Sequence, residues 1–209
     1  MDATTRVTSL AALEAVVGEP GERARTKERT RLTDIDRAWL AASSFCVLST
    51  SDASGRGDAS PKGDPPGSLV HVLDDTTIAL AERPGNRRVD GYRNVLENPH
   101  VGLVLVVPGR GDTLRINGRA ELHSDGPWFD AMAVRGRRPV LSLVVRVETV
   151  FFHCSKAFTR ARLWEPDTWT PTVVPPRAEI AHALEPVAGM GVAELEDYYR
   201  PENYDRGLY

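Results

Sequence analysis

The chain has 209 residues, 41% of them hydrophobic, which is ordinary globular usage and enough for one sizeable core with or without tails. Its 26 basic and 29 acidic residues leave a net charge of −3, so no global field draws it to nucleic acid or an anionic membrane, and any anion binding has to be local. The longest apolar runs, such as Val101 to Val107 interrupted at Gly102, are far shorter than a membrane span. Met1 to Pro20 carries Asp2 and Glu14 and lacks a basic stretch followed by an apolar core, so the expected location is the cytoplasm. Two isolated cysteines, Cys46 and Cys154, offer neither a disulfide framework nor a metal spacing, and both are expected reduced and packed.

Residues 1–36 read as an N-terminal helix and linker: Leu10, Leu13, Val16 and Val17 fall at helical spacing before a Gly-Glu-Pro-Gly break. Thr33 or Asp34 then caps a second helix, whose run Ile35 to Ala42 places Ile35, Ala38, Trp39 and Ala42 on one face. From residue 45 the pattern turns strand-like. Phe45 to Thr50, a turn at Asp52-Ala53-Ser54-Gly55, and Asp58 to Pro61 make a hairpin. Further strands are expected at Leu69 to Leu73, Thr77 to Ala81, His100 to Val107, Thr113 to Leu122 and Val140 to Phe152. Two helices interrupt them, Asn86 to Glu97 with Val89, Tyr92, Val95 and Leu96 on one face, and Pro127 to Arg135. Six or seven short strands of this kind make a closed or nearly closed antiparallel barrel over residues 37–164. Residues 165–209, with six prolines, read as an extended arm holding one short helix near Val192 to Tyr199.

Two segments carry chemistry. In Glu82-Arg83-Pro84-Gly85-Asn86-Arg87-Arg88 a strand ends, a turn follows and a helix opens on two arginines, an arrangement suited to a phosphate and otherwise opposed by the helix macrodipole. The same pair reads equally as a solvated basic pair on a turn. In Ser60-Pro61-Lys62-Gly63-Asp64-Pro65-Pro66-Gly67 a strand ends in a rigid turn that brings backbone close to whatever lies on it, either a flat aromatic ligand or simply the next loop. The five histidines, at 71, 100, 123, 153 and 182, have no metal spacing, and no metal is assigned.

These segments occur in a definite order, followed by Glu97-Asn98-Pro99-His100-Val101-Gly102, by Asp112 to Ala120 with its Asn117-Gly118 pair, and by Phe151 to Lys156 and Arg162-Leu163-Trp164. The ordered set, spanning about 120 of the 209 residues, resembles the FMN-binding relatives of pyridoxamine 5′-phosphate oxidase. The resemblance implies a mainly β fold with flanking helices, an antiparallel split β-barrel, and a homodimer holding one flavin at each interface. It places Ala59, Ser60, Pro61 and Lys62 on the isoalloxazine ring, with Lys62 near its reactive face, and it places Asn86, Arg87 and Arg88 on the FMN phosphate. Thr113 falls where the family carries a glutamine, and Gly57 falls where it carries an arginine, so that phosphate contact passes to Arg115 or to the partner chain. Lys156 and Arg162 extend toward the pocket to meet an anionic substrate or the phosphate. Tryptophan at 164 replaces the family's substrate-binding histidine, which argues against vitamin B6 as substrate. The function implied is an FMN-dependent oxidoreductase acting on a small molecule, its partner a small-molecule substrate or an electron donor such as NADH or NADPH. The flavin carries the chemistry, so no catalytic side chain is named. Two alternatives remain open: a flavin-binding or carrier protein without turnover, and a relative using the deazaflavin F420.

Overall fold

The computed structural model describes residues 5–185 and 188–209. Residues 1–4, at the head of the expected N-terminal segment, and 186–187, inside the expected arm, lie outside the described residues. α1 (Leu10–Val17) is capped by Ser9 and buries none of its residues, and α2 (Glu22–Arg25) is a single turn beyond the Gly-Pro break. Past α2 the chain pairs Arg29 with Val150 in an isolated antiparallel bridge, which pins the linker to the barrel.

α3 (Asp34–Ala42) opens on a capping box in which Thr33, not Asp34, is the cap. Its box partner Asp36 is fully buried and accepts hydrogen bonds from the Thr33 backbone at 2.8 Å, the Thr33 hydroxyl at 2.7 Å and the Arg29 guanidinium at 2.9 Å. A buried carboxylate costs several kcal/mol unless so paired, and satisfying it turns the helix. Asp36, Trp39 and Leu40 face inward, whereas Ile35, Ala38 and Ala42 of the expected apolar stripe stay exposed along a surface groove.

The sheet contains β1 (Phe45–Ser51), β2 (Gly57–Gly63), β3 (Val70–Val72), β4 (Thr77–Glu82), β5 (His100–Val106), β6 (Thr113–His123) and β7 (Leu141–His153). All pairings are antiparallel, in the order β2-β1-β5-β6-β7-β4-β3. Alternate residues point inward, among them Cys46, Leu48, Leu103, Leu105, Leu114, Ile116, Val145 and Val150, each at most 1% exposed. Asn117-Gly118 falls in the middle of β6. It is an irregularity within β6 where the register against β7 shifts, and a Cβ on Gly118 would lie 2.0 Å from the Arg146 carbonyl oxygen.

The sheet does not close by backbone pairing. Across the split between its two ends run two ion pairs, Lys62 to Glu82 and Asp64 to Arg83, both at 2.7 Å. α4 (Asp90–Glu97) plugs the opening, with Tyr92 and Val95 joining the main core. This is the antiparallel split barrel with flanking helices expected from the sequence.

The peripheral segments differ more from expectation. Pro127 to Arg135 forms only a 3-10 turn, Asp130–Met132, whose work is to bury Phe129 and Met132. α5 (Lys156–Ala161) follows β7 directly, and the arm contains α6 (Arg177–Leu184) and α8 (Pro201–Tyr204) besides the expected helix, α7 (Val192–Tyr198). α6 and α7 pack on each other through Ala178, Ala181 and Leu195. The arm folds back on its own barrel, where the Tyr209 hydroxyl donates to Asp64 at 3.1 Å. Cys46 is buried as expected, but Cys154 is exposed just past β7. Among the large aromatic side chains, Phe129 and Phe151 are buried and Trp128 and Phe152 partly so, while Trp164 and Trp169 are exposed. No helix among the described residues is long and apolar enough to cross a membrane.

Desolvation pushes the Asp36 carboxyl up, but hydrogen bonds from Arg29 and Thr33 outweigh it and hold the group below the usual aspartate range. Its contribution to stability is therefore complete above the unfolded value near pH 4 and is lost as pH falls through the lowered folded value. We expect Asp36→Asn to cost about 2–3 kcal/mol at neutral pH, the Arg29 partner being a third exposed. Denaturation midpoints from pH 7 to pH 3 should also show a weaker acid dependence in the variant, and parallel curves would remove Asp36 from that role.

Candidate flavin site over the edge strand

A cavity of about 170 Å³ lies between β2 and the start of α4, lined by Asp58 to Lys62, Glu82, Asn86 and Arg88 to Tyr92. β2 is an edge strand, so half of its backbone N–H and C=O groups have no partner in the sheet and are available to a ligand. Pro61 is tolerated there for the same reason, since a proline would remove a ladder hydrogen bond from an interior strand. α4 approaches closely because residue 91 is glycine: a Cβ there would lie 3.1 Å from an Asp58 carboxylate oxygen and 3.4 Å from the Thr50 hydroxyl.

The phosphate-type loop is built differently from the expected helix start. α4 begins at Asp90, four residues later than expected, and Asn86 to Val89 form a loop. The Asn86 side chain accepts from the Arg88 backbone N–H at 2.9 Å, which rolls the chain over and puts Arg87 in the left-handed region at φ 63°. The two arginines thus precede the helix, and Asp90 in its first turn offsets the charge of Arg88 at the positive end of the macrodipole. Arg88 reaches the cavity, its Nε held by Asp90 at 2.6 Å, with both terminal nitrogens free of described partners; hydrogen bonding to Asp90 raises its pKa. Arg87 is exposed and lies outside the lining.

At the inner end, Glu82 collects two donors. The Lys62 ammonium donates to it at 2.7 Å and the Tyr92 hydroxyl donates to the same oxygen, while Lys62 lies 4.5 Å from the centre of the Tyr92 ring. Burial, reinforced by the Glu82 charge, pushes the Tyr92 phenol far above its ordinary value, so it serves as a donor only. Burial likewise pushes the Cys46 thiol up to about 12, which makes it inert. Asp58, Glu82, Asp90 and Tyr92 were not assigned to a site by sequence reasoning. Glu82 stood inside the motif that drew attention to the arginines, but nothing local distinguishes a carboxylate that faces across a barrel split from one that ends an exposed strand.

The remaining expected site residues lie elsewhere in this chain. Thr113 is buried opposite His153, and the Arg115 guanidinium lies 5.0 Å from the centre of the Phe151 ring. Lys156 opens α5 and is exposed. Arg162 is bonded to Glu165 at 2.7 Å, and the Trp164 indole donates to the Arg110 carbonyl at 2.7 Å. Ala59, Ser60, Pro61, Lys62, Asn86 and Arg88 share one cavity, and Thr113, Arg115, Lys156 and Arg162 do not line it. Among the described residues no group of three or more His, Cys, Asp or Glu is placed to hold a metal ion.

The geometry defines a class: an antiparallel split barrel with a small cavity over its edge strand. The family model described as pyridoxamine 5′-phosphate oxidase matches residues 32–154, more than half of the chain, and the chain belongs to that family. Among solved structures it is similar to HupZ of Group A Streptococcus, at 21% identity over 58% of this chain and 93% of that one, with a TM-score of 0.46. It is also similar to a candidate pyridoxamine 5′-phosphate oxidase of Lactobacillus delbrueckii, at 24% identity over 60% and 99% of the two chains, with a TM-score of 0.46. An F420 reductase is similar at 17% identity over 56% and 94%, with a TM-score of 0.39. No curated protein matches the chain.

Glu82→Ala would strand the Lys62 ammonium, whose side chain is only 16% exposed, and leave the Tyr92 hydroxyl unpaired. We expect it to cost about 2–3 kcal/mol, and Lys62→Met, which keeps the apolar stem on Tyr92, to cost less. Urea denaturation of both variants checks the order, and equal losses would deny Glu82 its role across the split.

Proposed function

We propose that the protein binds FMN in the cavity over β2 and acts as an FMN-dependent oxidoreductase on a small molecule. The observation that carries this reading is the convergence, in one cavity, of a free strand edge, Asn86 and Arg88 of the loop before α4, and the Lys62 side chain. The strand edge and the Ala59 to Lys62 segment suit a flat heterocycle with hydrogen-bonding edges. The free terminal nitrogens of Arg88, with Asn86 and the exposed Arg87 beside them, suit its phosphate. When bound, FMN supplies hydride or electron transfer. The chain's own part is to hold it, to keep the Lys62 charge near the ring under the control of Glu82, and to exclude water from the inner end through Tyr92.

A homodimer completes the site in this reading. The cavity of one chain, about 170 Å³, is below the roughly 300–1,000 Å³ usual for ligand pockets. A second wall has to come from outside, and exposed apolar side chains such as Phe45, Ile35, Leu163, Trp164 and Trp169 suit a protein contact. The partner would bring the phosphate contact that Gly57 lacks. We place the protein in the cytoplasm, with NADH or NADPH as donor.

The absorbance of the purified protein with the cofactor it carries tests the choice of flavin: FMN gives bands near about 375 and 450 nm, and F420 near about 420 nm. Anaerobic mixing with NADH or NADPH then separates an enzyme from a carrier. Replacing Arg87 and Arg88 together by Ala should leave the fold intact and weaken FMN at least about tenfold, since charge-assisted bonds to phosphate contribute about 1.5–3 kcal/mol each. Unchanged affinity in a fluorescence titration would refute the phosphate assignment. For the shared site, light scattering and flavin fluorescence across a dilution series should show cofactor release in step with dissociation, and a monomer retaining FMN at micromolar concentration would overturn it.

A further inference from the structure

A second cleft, of about 820 Å³, lies between the linker around α2 and the end of β7, and it shares no lining residue with the cavity over β2. Its walls include Arg23, Lys27, His153 and Lys156. Lys27 is half-buried, and its ammonium donates at 3.1 Å to a neutral partner, the Phe152 carbonyl. The same ammonium lies 4.7 Å from the centre of the Phe151 ring, and the Arg115 guanidinium lies 5.0 Å from it, so one aromatic ring gathers two cations.

The acidic groups nearby are already engaged or exposed. Asp36 is taken by Arg29, Asp112 at the rim is taken by Arg110 at 2.8 Å, and Glu22 is exposed on α2. Among the described residues none of Arg23, Lys27, Arg115 and Lys156 has a carboxylate at ion-pair distance, although Arg29 and Asp112 of the cleft lining are both paired. The cost of this crowding falls on His153, whose pKa is lowered by partial burial and by the charges of Lys27 and Arg115. Cations held together without a counterion repel one another, and a cleft that focuses their field raises the local concentration of small anions.

We infer that this cleft is a binding site for a small phosphate-type oxyanion, held by Lys27 and Lys156 with His153 and Arg115 beside it. The site is independent of whether the cavity over β2 holds FMN. Lysines suit it as point charges on flexible stems, and the two contributors come from separate segments, Lys27 from the linker and Lys156 from α5, so a bound oxyanion ties the linker to the end of the barrel.

The test uses the full chain and inorganic phosphate at constant ionic strength kept with sodium chloride, following the His153 ring by NMR. Groups facing His153 are Lys27 and Arg115, with Lys156, Arg23, Arg29, Asp112, Glu22 and Cys154 around the cleft. The expected result is a saturable shift of the His153 resonance and a rise in its titration midpoint, because a bound dianion favours the imidazolium. Lys27→Met should weaken phosphate roughly tenfold or more. Lys156→Ala, at an exposed position where folding is not at stake, should weaken it several-fold, while Arg88→Ala in the other cavity should leave it unchanged. A shift that chloride alone reproduces, or one that Lys27→Met and Lys156→Ala leave intact, would overturn the proposal.

Discussion

The architecture turns on the split left where the two ends of the sheet fail to pair. β2 at one end and the β4–β3 hairpin at the other are joined by Lys62 to Glu82 and Asp64 to Arg83, side-chain pairs in place of a ladder of backbone hydrogen bonds. Ion pairs at this depth contribute little net free energy against an apolar alternative, but removing one partner leaves a charge stranded out of water. Their effect is to specify which side chains meet across the gap. Asp64 and Arg83 are then covered by the arm, with the Tyr209 hydroxyl on Asp64 and its ring 5.6 Å from the Arg83 guanidinium. Desolvation nonetheless leaves the Asp64 carboxyl raised above its ordinary value.

The same opening that needs closing also makes the cavity. Because β2 pairs on one side only, its other edge is free, and α4 settles over it through the close approach that Gly91 permits. Tyr92 is shared by both functions, as a core side chain at 5% exposure and as a hydroxyl donor to Glu82 in the cavity wall. Stability and site chemistry are therefore coupled at Glu82, and a substitution there acts on both.

At the opposite side, Asp36 plays the corresponding part for the N-terminal segment. One carboxylate caps α3, pairs Arg29 and thereby lays the linker along β7 at the Arg29 and Val150 bridge. That linker carries Lys27 onto Phe151 and forms one wall of the cationic cleft. The groove beside it, lined by Ile35, Ala38 and Ala42, is the apolar stripe left outside when Asp36 turned α3 inward.

Much of the fold was legible from local pattern alone. The alternation in Phe45 to Thr50 and Thr113 to Leu122, the turn chemistry at Asp52 to Gly55, and the Thr33 cap are determined by side-chain period and backbone preference within a few residues. The cluster of Ala59 to Lys62 with Asn86 and Arg88 was also legible, because an ordered set of short motifs carried it through resemblance to a family. What the sequence left undetermined depends on contacts between distant residues. The start of α4 moved to Asp90 because an Asn86 side chain captured the Arg88 amide, a competition that helical periodicity does not register. The arm gained α6 because Ala178 and Ala181 bury themselves against Leu195 of the expected α7, a helix of only two turns being marginal without such packing. The roles of Glu82 and Tyr92, and the meeting of Lys27 with Arg115 over Phe151, exist only once the sheet has curled, since sequence separation does not reveal which charges a barrel will bring face to face.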